Sequence, residues 1–138
     1  MKMMVLSTKN KRIKYLSYCY HGSTHDFTLL KEELPPDEGQ WFKDSKVHVD
    51  LGYQGIAKQY QCAKLYIPTK KPRGVELTRK QKKKNRRRSR RRIVVENAIG
   101  GMKRYRFLSD RARCHSIRLY NKVAGIAAGL WNYNLTND

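Results

Sequence analysis

Acidic side chains are scarce in this chain. Asp and Glu together number 11 against 31 Lys and Arg, a formal charge of +20 and an isoelectric point near 10.2. Solubility asks for far less, so the imbalance implies an anionic polymer as partner, with nucleic acid the first choice. Long apolar runs are missing as well. The longest, Val123 to Trp131, falls far short of the roughly 20 residues that span a bilayer. The N-terminus carries no apolar signal core. A membrane partner is therefore disfavoured, and the expected location is the cytoplasm, in association with the nucleoid. Cysteine is sparse: Cys19, Cys62 and Cys114 form no C-x-x-C pair. They read as small core residues in a reducing compartment rather than as disulfides. Cys19, His21 and His25 lie close together, but a fourth zinc ligand at familiar spacing is absent.

What the chain has in quantity is concentrated in one stretch. Gln81 to Arg106 begins as a block of Lys and Arg and runs without Pro or Gly to Gly100, which predicts a helix. The basic segment with its helix is delimited at 78–106. Arg92, Glu96 and Lys103 stand at i, i+4 and i+11, within roughly a 40° sector of one helix face. Val95, Ile99 and Met102 make a separate apolar stripe about a quarter turn away. One face thus carries a carboxylate flanked by two cations, beside the face that docks on a core. An acid there suits a metal and the bases suit a phosphate backbone; ordinary i,i+4 ion pairs on a solvated face are the simpler alternative.

The rest of the chain is read in order. Its 138 residues suffice for one core and not two. Met3–Ser7 and Arg12–Tyr20 predict two strands joined by the polar turn Thr8–Lys11. The chain begins almost directly in a strand, as a fragment would. GSTHDF at 22–27 predicts a short helix to Leu34, stopped by Pro35–Pro36. Ser23 and Asp26 stand at capping-box spacing, which gives Asp26 a structural reason beside a catalytic one. Val47–Val49 predicts a short buried strand with Asp50 at its carboxyl end and Gly52 allowing the turn. Functional crevices of open α/β sheets lie at such strand ends; alternatively Asp50 caps the turn. Leu65–Ile67 predicts another strand, leading into the basic loop Pro68–Gly74. Ser116–Asn134 predicts a core-docking helix through Ile117, Tyr120, Val123, Ala124, Ala127, Leu130 and Trp131, with Trp131 in the core rather than stacking on bases.

The motifs HVDLGYQGI, PTKKPRG, LTRKQKKKNRRRSRRRIVVENAIGGMKR and AGIAAGLWNYN, in that order over nearly the whole chain, resemble the C-terminal catalytic part of DDE transposases. The similarity is narrowest to the bacterial insertion-sequence branch related to Harbinger-type transposases. GSTHDFTLLKEEL is similar to the helix these proteins place before the second acid. The resemblance implies an α/β ribonuclease H-like fold, a mixed sheet flanked by helices. It implies three carboxylates holding two divalent cations, Mg²⁺ or Mn²⁺. By position, Asp50 resembles the second acid and Glu96 the last. The family pattern Y-x2-R-x3-E-x6-K falls on Ser89, Arg92, Glu96 and Lys103, with Ser89 in place of Tyr. No D-G-T, the usual setting of the first acid, occurs in the sequence. The implied fold is thus incomplete at the N-terminus, its first catalytic strand missing.

In-line phosphodiester displacement uses two cations, one for the attacking oxygen and one for the leaving oxygen. Several carboxylate oxygens must hold that pair. Asp50 and Glu96 alone would hold it poorly. A separate polypeptide or upstream frame could supply the missing acid, Asp26 could be recruited, or the chain could be an inactive remnant, the expectation for this polypeptide alone. DNA contacts are expected from Arg92 and Lys103, from Lys70 and Lys71 in the loop, and from Arg86, Arg87, Arg88, Arg90 and Arg91. The family's habit of acting as multimers extends the partners to a second copy. Two further readings stand beside the transposase: a basic nucleic-acid-binding protein without chemistry, and a domesticated nuclease-like subunit that needs a partner.

Overall fold

The computed structural model of the chain describes residues 1–109 and 116–137. It is a mixed α/β structure with two compact units, one formed by 1–24 with 93–138 and the other by 25–92. Cys114 lies outside the described residues.

The first unit opens with the antiparallel hairpin of β1 (Val5–Ser7) and β2 (Ile13–Leu16). The reversal Thr8–Arg12 is closed by Thr8 N–H to Arg12 C=O at 2.9 Å, with Lys11 in the left-handed region at φ 65°. A register shift falls between Leu6 and Ser7. The second strand is shorter than the predicted Arg12–Tyr20. Beyond Leu16 the Ser17 N–H still donates to Met4 C=O at 2.9 Å, but the Ser17 side chain takes the Met4 N–H at 2.7 Å, and the next bridge is Lys2–Tyr20.

α5 (Ile117–Asn137) runs against this hairpin and is tied to its backbone by side-chain amides. Asn132 accepts from Ile13 N–H at 2.8 Å and donates to Ile13 C=O at 2.9 Å. Asn121 Oδ1 accepts the Cys19 N–H at 2.8 Å, and Trp131 Nε1–H donates to Lys11 C=O at 2.8 Å. The core between α5, the hairpin and the C-terminal half of α3 (Arg79–Lys103) consists of Ile13, Ala98, Met102, Ala124, Ala127 and Ala128. These are mostly small side chains, so the helices approach closely. At Gly101 a Cβ would overlap the Trp131 ring. That contact confirms Trp131 as a packing residue. It also corrects the expected stripe on α3: the buried residues are Ala98, Gly101 and Met102, while Val95 and Ile99 are half-buried. On α5, Ile117 and Leu130 are exposed, because the close-packed seam of alanines is narrower than the apolar pattern suggested. α3 ends at Lys103, short of the expected Arg106, and α4 (Arg106–Ser109) follows.

In the second unit, α1 (Asp26–Glu33) buries Leu29 and Leu30, and Leu34 follows as its C-cap before Pro35. Tyr60 fastens the helix end: its hydroxyl donates to Leu34 C=O at 2.7 Å while its ring meets Phe27 and Phe42. The expected capping box does not form. His25 occupies the N-cap position without a side-chain cap bond, and Ser23 Oγ lies 2.8 Å from His21 Nδ1. β3 (Lys46–His48) and β4 (Lys64–Tyr66) pair in parallel, joined by a 3₁₀ turn (Leu51–Tyr53) and α2 (Ile56–Gln59). Among the described residues each strand has only this one neighbour. β3 is therefore not the buried strand expected: Lys46 and His48 are exposed and Val47 is half-buried. Parallel strands ordinarily lie between covered neighbours.

α3 begins with a reciprocal capping box. Thr78 N–H donates to Gln81 Oε1 at 2.9 Å, and Gln81 N–H to Thr78 Oγ1 at 3.2 Å. Its first half docks on the segment after β4 by polar contacts. Asn85 clasps both backbone groups of Thr69 at 2.9 Å, and Arg88 donates to Ile67 C=O.

Candidate active site

Asp50 stands two residues beyond β3, at the carboxyl end of the strand, and it also caps the turn that follows. Its Oδ1 accepts the Leu51 N–H at 2.7 Å. The turn-capping alternative is thus realised, at a position just past the strand end. The same oxygen pairs with Arg92 Nη1 at 3.0 Å, between half-exposed side chains. Arg92 comes from α3, so the polar docking of Asn85 and Arg88 brings a cation to the acid at the strand end.

Asp26 lies at the same turn. A Cβ at Gly52 would collide with Asp26 Oδ2, so the absent side chain of Gly52 makes room for that carboxylate. Gly52 is needed for this approach and not for its backbone angle; the left-handed glycine of the turn is Gly55, at φ 98°. Beside the two acids, Tyr53 has its phenol pushed up to about 12. Burial is the main cause, with the Asp26 and then the Asp50 carboxylates adding to it.

Arg91 turns to the strands. Its Nη1 lies 3.4 Å from His48 Nε2, and its guanidinium carbon 5.7 Å from the Tyr66 ring centre. Burial, then the charges of Arg91 and Arg88, hold the His48 imidazole below its ordinary value. The basic block is therefore divided by helical period. Arg88, Arg91 and Arg92 are engaged with the protein, and Arg86, Arg87 and Arg90 are exposed on the opposite side. Sequence reasoning grouped all six together. Gln81, Asn85, Arg88 and Arg92, at i, i+4, i+7 and i+11, are the half-buried positions, a separation that appears only in the folded helix.

Glu96 is exposed one turn beyond Arg92 on α3, and Lys103 is exposed at the helix end. In the preceding loop Lys70 is exposed. Lys71 pairs with Glu76, which also binds Lys82 at 2.8 Å; both cations hold the Glu76 carboxyl below its usual value. Cys19 and Cys62 are half-buried and not core residues, and burial raises both thiols. Among the described residues no three His, Cys, Asp or Glu side chains gather into a metal-sized group. No helix among them is long and apolar enough to cross a membrane.

No solved structure matches the chain significantly. A probable transposase for insertion sequence element IS702, from Microchaete diplosiphon, is 35% identical over 133 residues. That alignment covers 96% of this chain and 45% of the relative, so the chain spans less than half of the curated relative's length. The family model described as DDE superfamily endonuclease matches residues 1–132. By that match over nearly its whole length, this chain belongs to the DDE superfamily endonucleases.

Proposed function

We propose that this chain supplies Asp50 and Glu96 to a DNA strand-cleavage and strand-transfer centre acting at transposon ends, on a ribonuclease H-like framework. The observation that carries the reading is the Arg92–Asp50 pair. It puts a cation of the basic helix on the strand-end acid, and Glu96 enters the reading by its i+4 spacing from Arg92 in the sequence. Both acids offer hard oxygen donors, and Asp50 keeps about half of its side-chain surface open to solvent. That chemistry fits Mg²⁺ or Mn²⁺ as part of a donor set. Bound there, the cations would supply an activated oxygen nucleophile and a stabilised leaving oxygen. Arg92 and Lys103 would position a phosphate backbone, and exposed Arg86, Arg87, Arg90 and Lys70 would neutralise it. Arg88 and Lys71 would serve mainly by holding their protein partners.

Two acids do not complete a two-metal site, so a third carboxylate is required. Asp26 is one source, since it already sits at the Asp50 turn. A second polypeptide or a longer product is the other. The single-neighbour strand β3 leaves an edge on which an added strand could pair. These residues alone are expected to be catalytically inert. Nucleic-acid binding without chemistry is the second reading, favoured by the outward row Arg86, Arg87 and Arg90.

Calorimetric titration with Mn²⁺, on the chain and on Asp50→Ala and Glu96→Ala, separates the two. Micromolar binding lost in either variant supports the metal site. Binding indifferent to both changes leaves only the DNA-binding reading.

A further inference from the structure

The open side of the β3–β4 pair carries an aromatic stack with no part in metal holding or backbone positioning. His48 and Tyr66 are register partners on the two strands. Their rings lie 4.3 Å apart between centres and 4° from parallel. The Arg91 guanidinium lies over the Tyr66 ring and reaches His48 Nε2 at 3.4 Å, and Lys64 Nζ lies 5.4 Å from the Tyr66 centre. His48 is exposed, and among the described residues β3 pairs with β4 alone. The imidazole face turned away from Tyr66 therefore borders an open strand edge, two residues from Asp50.

We propose that the His48–Tyr66 stack is a platform for one unpaired DNA base, held beside the acid at the end of β3. Stacked rings flanked by cations are what single-stranded nucleic acid requires. Every base offers a π-face whatever its identity, and its phosphate meets a guanidinium or ammonium. Cross-strand aromatic packing alone would account for the two rings. It would not call for two cations gathered on them beside a phosphodiester site. The inference rests on the DNA-processing reading above and adds the form of the substrate: a strand whose base next to the reacting phosphate is out of its pair.

The test uses two duplexes of one sequence, one blunt and one with a single 2-aminopurine overhang, titrated with the full chain at low salt. The overhang duplex is expected to bind about tenfold tighter, with its fluorescence quenched by stacking. His48→Ala should abolish that ratio and the quenching, and His48→Phe, which keeps a ring, should restore both. Equal binding of the two duplexes by the native chain would overturn the platform and leave the DNA reading standing. So would a preference that survives His48→Ala. Binding of neither duplex would overturn the DNA reading, and the platform with it.

Discussion

Asp50 is claimed from two sides at once, by a backbone amide of its own turn and by a guanidinium from α3. The neighbouring Tyr53 reports on that arrangement. Its phenol loses its proton near 12 instead of 10.0, so the folded state holds the proton more tightly than the unfolded chain. The corresponding stability is fully present below about pH 10 and is lost as pH rises towards 12. A spectrophotometric titration should show Tyr53 ionising last, after Tyr60 and Tyr120, which are also raised, and Tyr53→Phe should remove that last step. Asp50→Asn should move the step down without bringing it to the ordinary value, because burial is the larger cause. The position of Asp50 at a strand end was legible in H-V-D-L-G. The approach of Asp26 was not, because it depends on a side chain that Gly52 does not have and on the fold bringing α1 to that turn.

Within α3, two adjacent glycines have opposite meanings. A Cβ at Gly101 would overlap the Trp131 ring, which is itself pinned by its bond to Lys11. Gly101→Ala should therefore destabilise the first unit by about 1–3 kcal/mol, the usual cost of overpacking. Nothing lies within 4 Å of a Cβ at Gly100. Gly100→Ala should stabilise by about 0.5–1 kcal/mol, the helical penalty of glycine. Urea unfolding of the two variants checks both signs. Removing the cap at the other end of the helix by Thr78→Ala should cost about 1 kcal/mol, measured in the same way. The span of α3 was legible because no proline interrupts it. Its docking faces were harder to read. The core-side face relies on alanine and glycine in place of large apolar residues, and the face toward β4 relies on Asn85 and Arg88 bonding to backbone. Hydrophobic periodicity registers neither.

For the molecule as a whole, the net charge of +20 makes salt the controlling variable of any DNA complex. Replacing Arg86, Arg87 and Arg90 with Gln should make the slope of log affinity against log salt shallower, by about 0.9 for each phosphate no longer neutralised. Fluorescence anisotropy across a salt series would measure it. Arg88→Gln should instead reduce stability, since that guanidinium is engaged by the carbonyl of Ile67. The charge was the most readable property of the sequence. Its division into an outward and an inward set was not, because both sets are arginine and only the folded backbone tells them apart.

Eleven of the fourteen residues from Arg79 to Arg92 are Lys or Arg, so this half of α3 is a string of tryptic cleavage sites. Repulsion between like charges one turn apart favours fraying, and a frayed turn is what a protease admits. Counter-ions or a bound polyanion relieve that repulsion and close the window. The cell's proteases would then spare the molecules engaged on nucleic acid and clear the idle ones, so the lifetime of this chain would follow its occupancy.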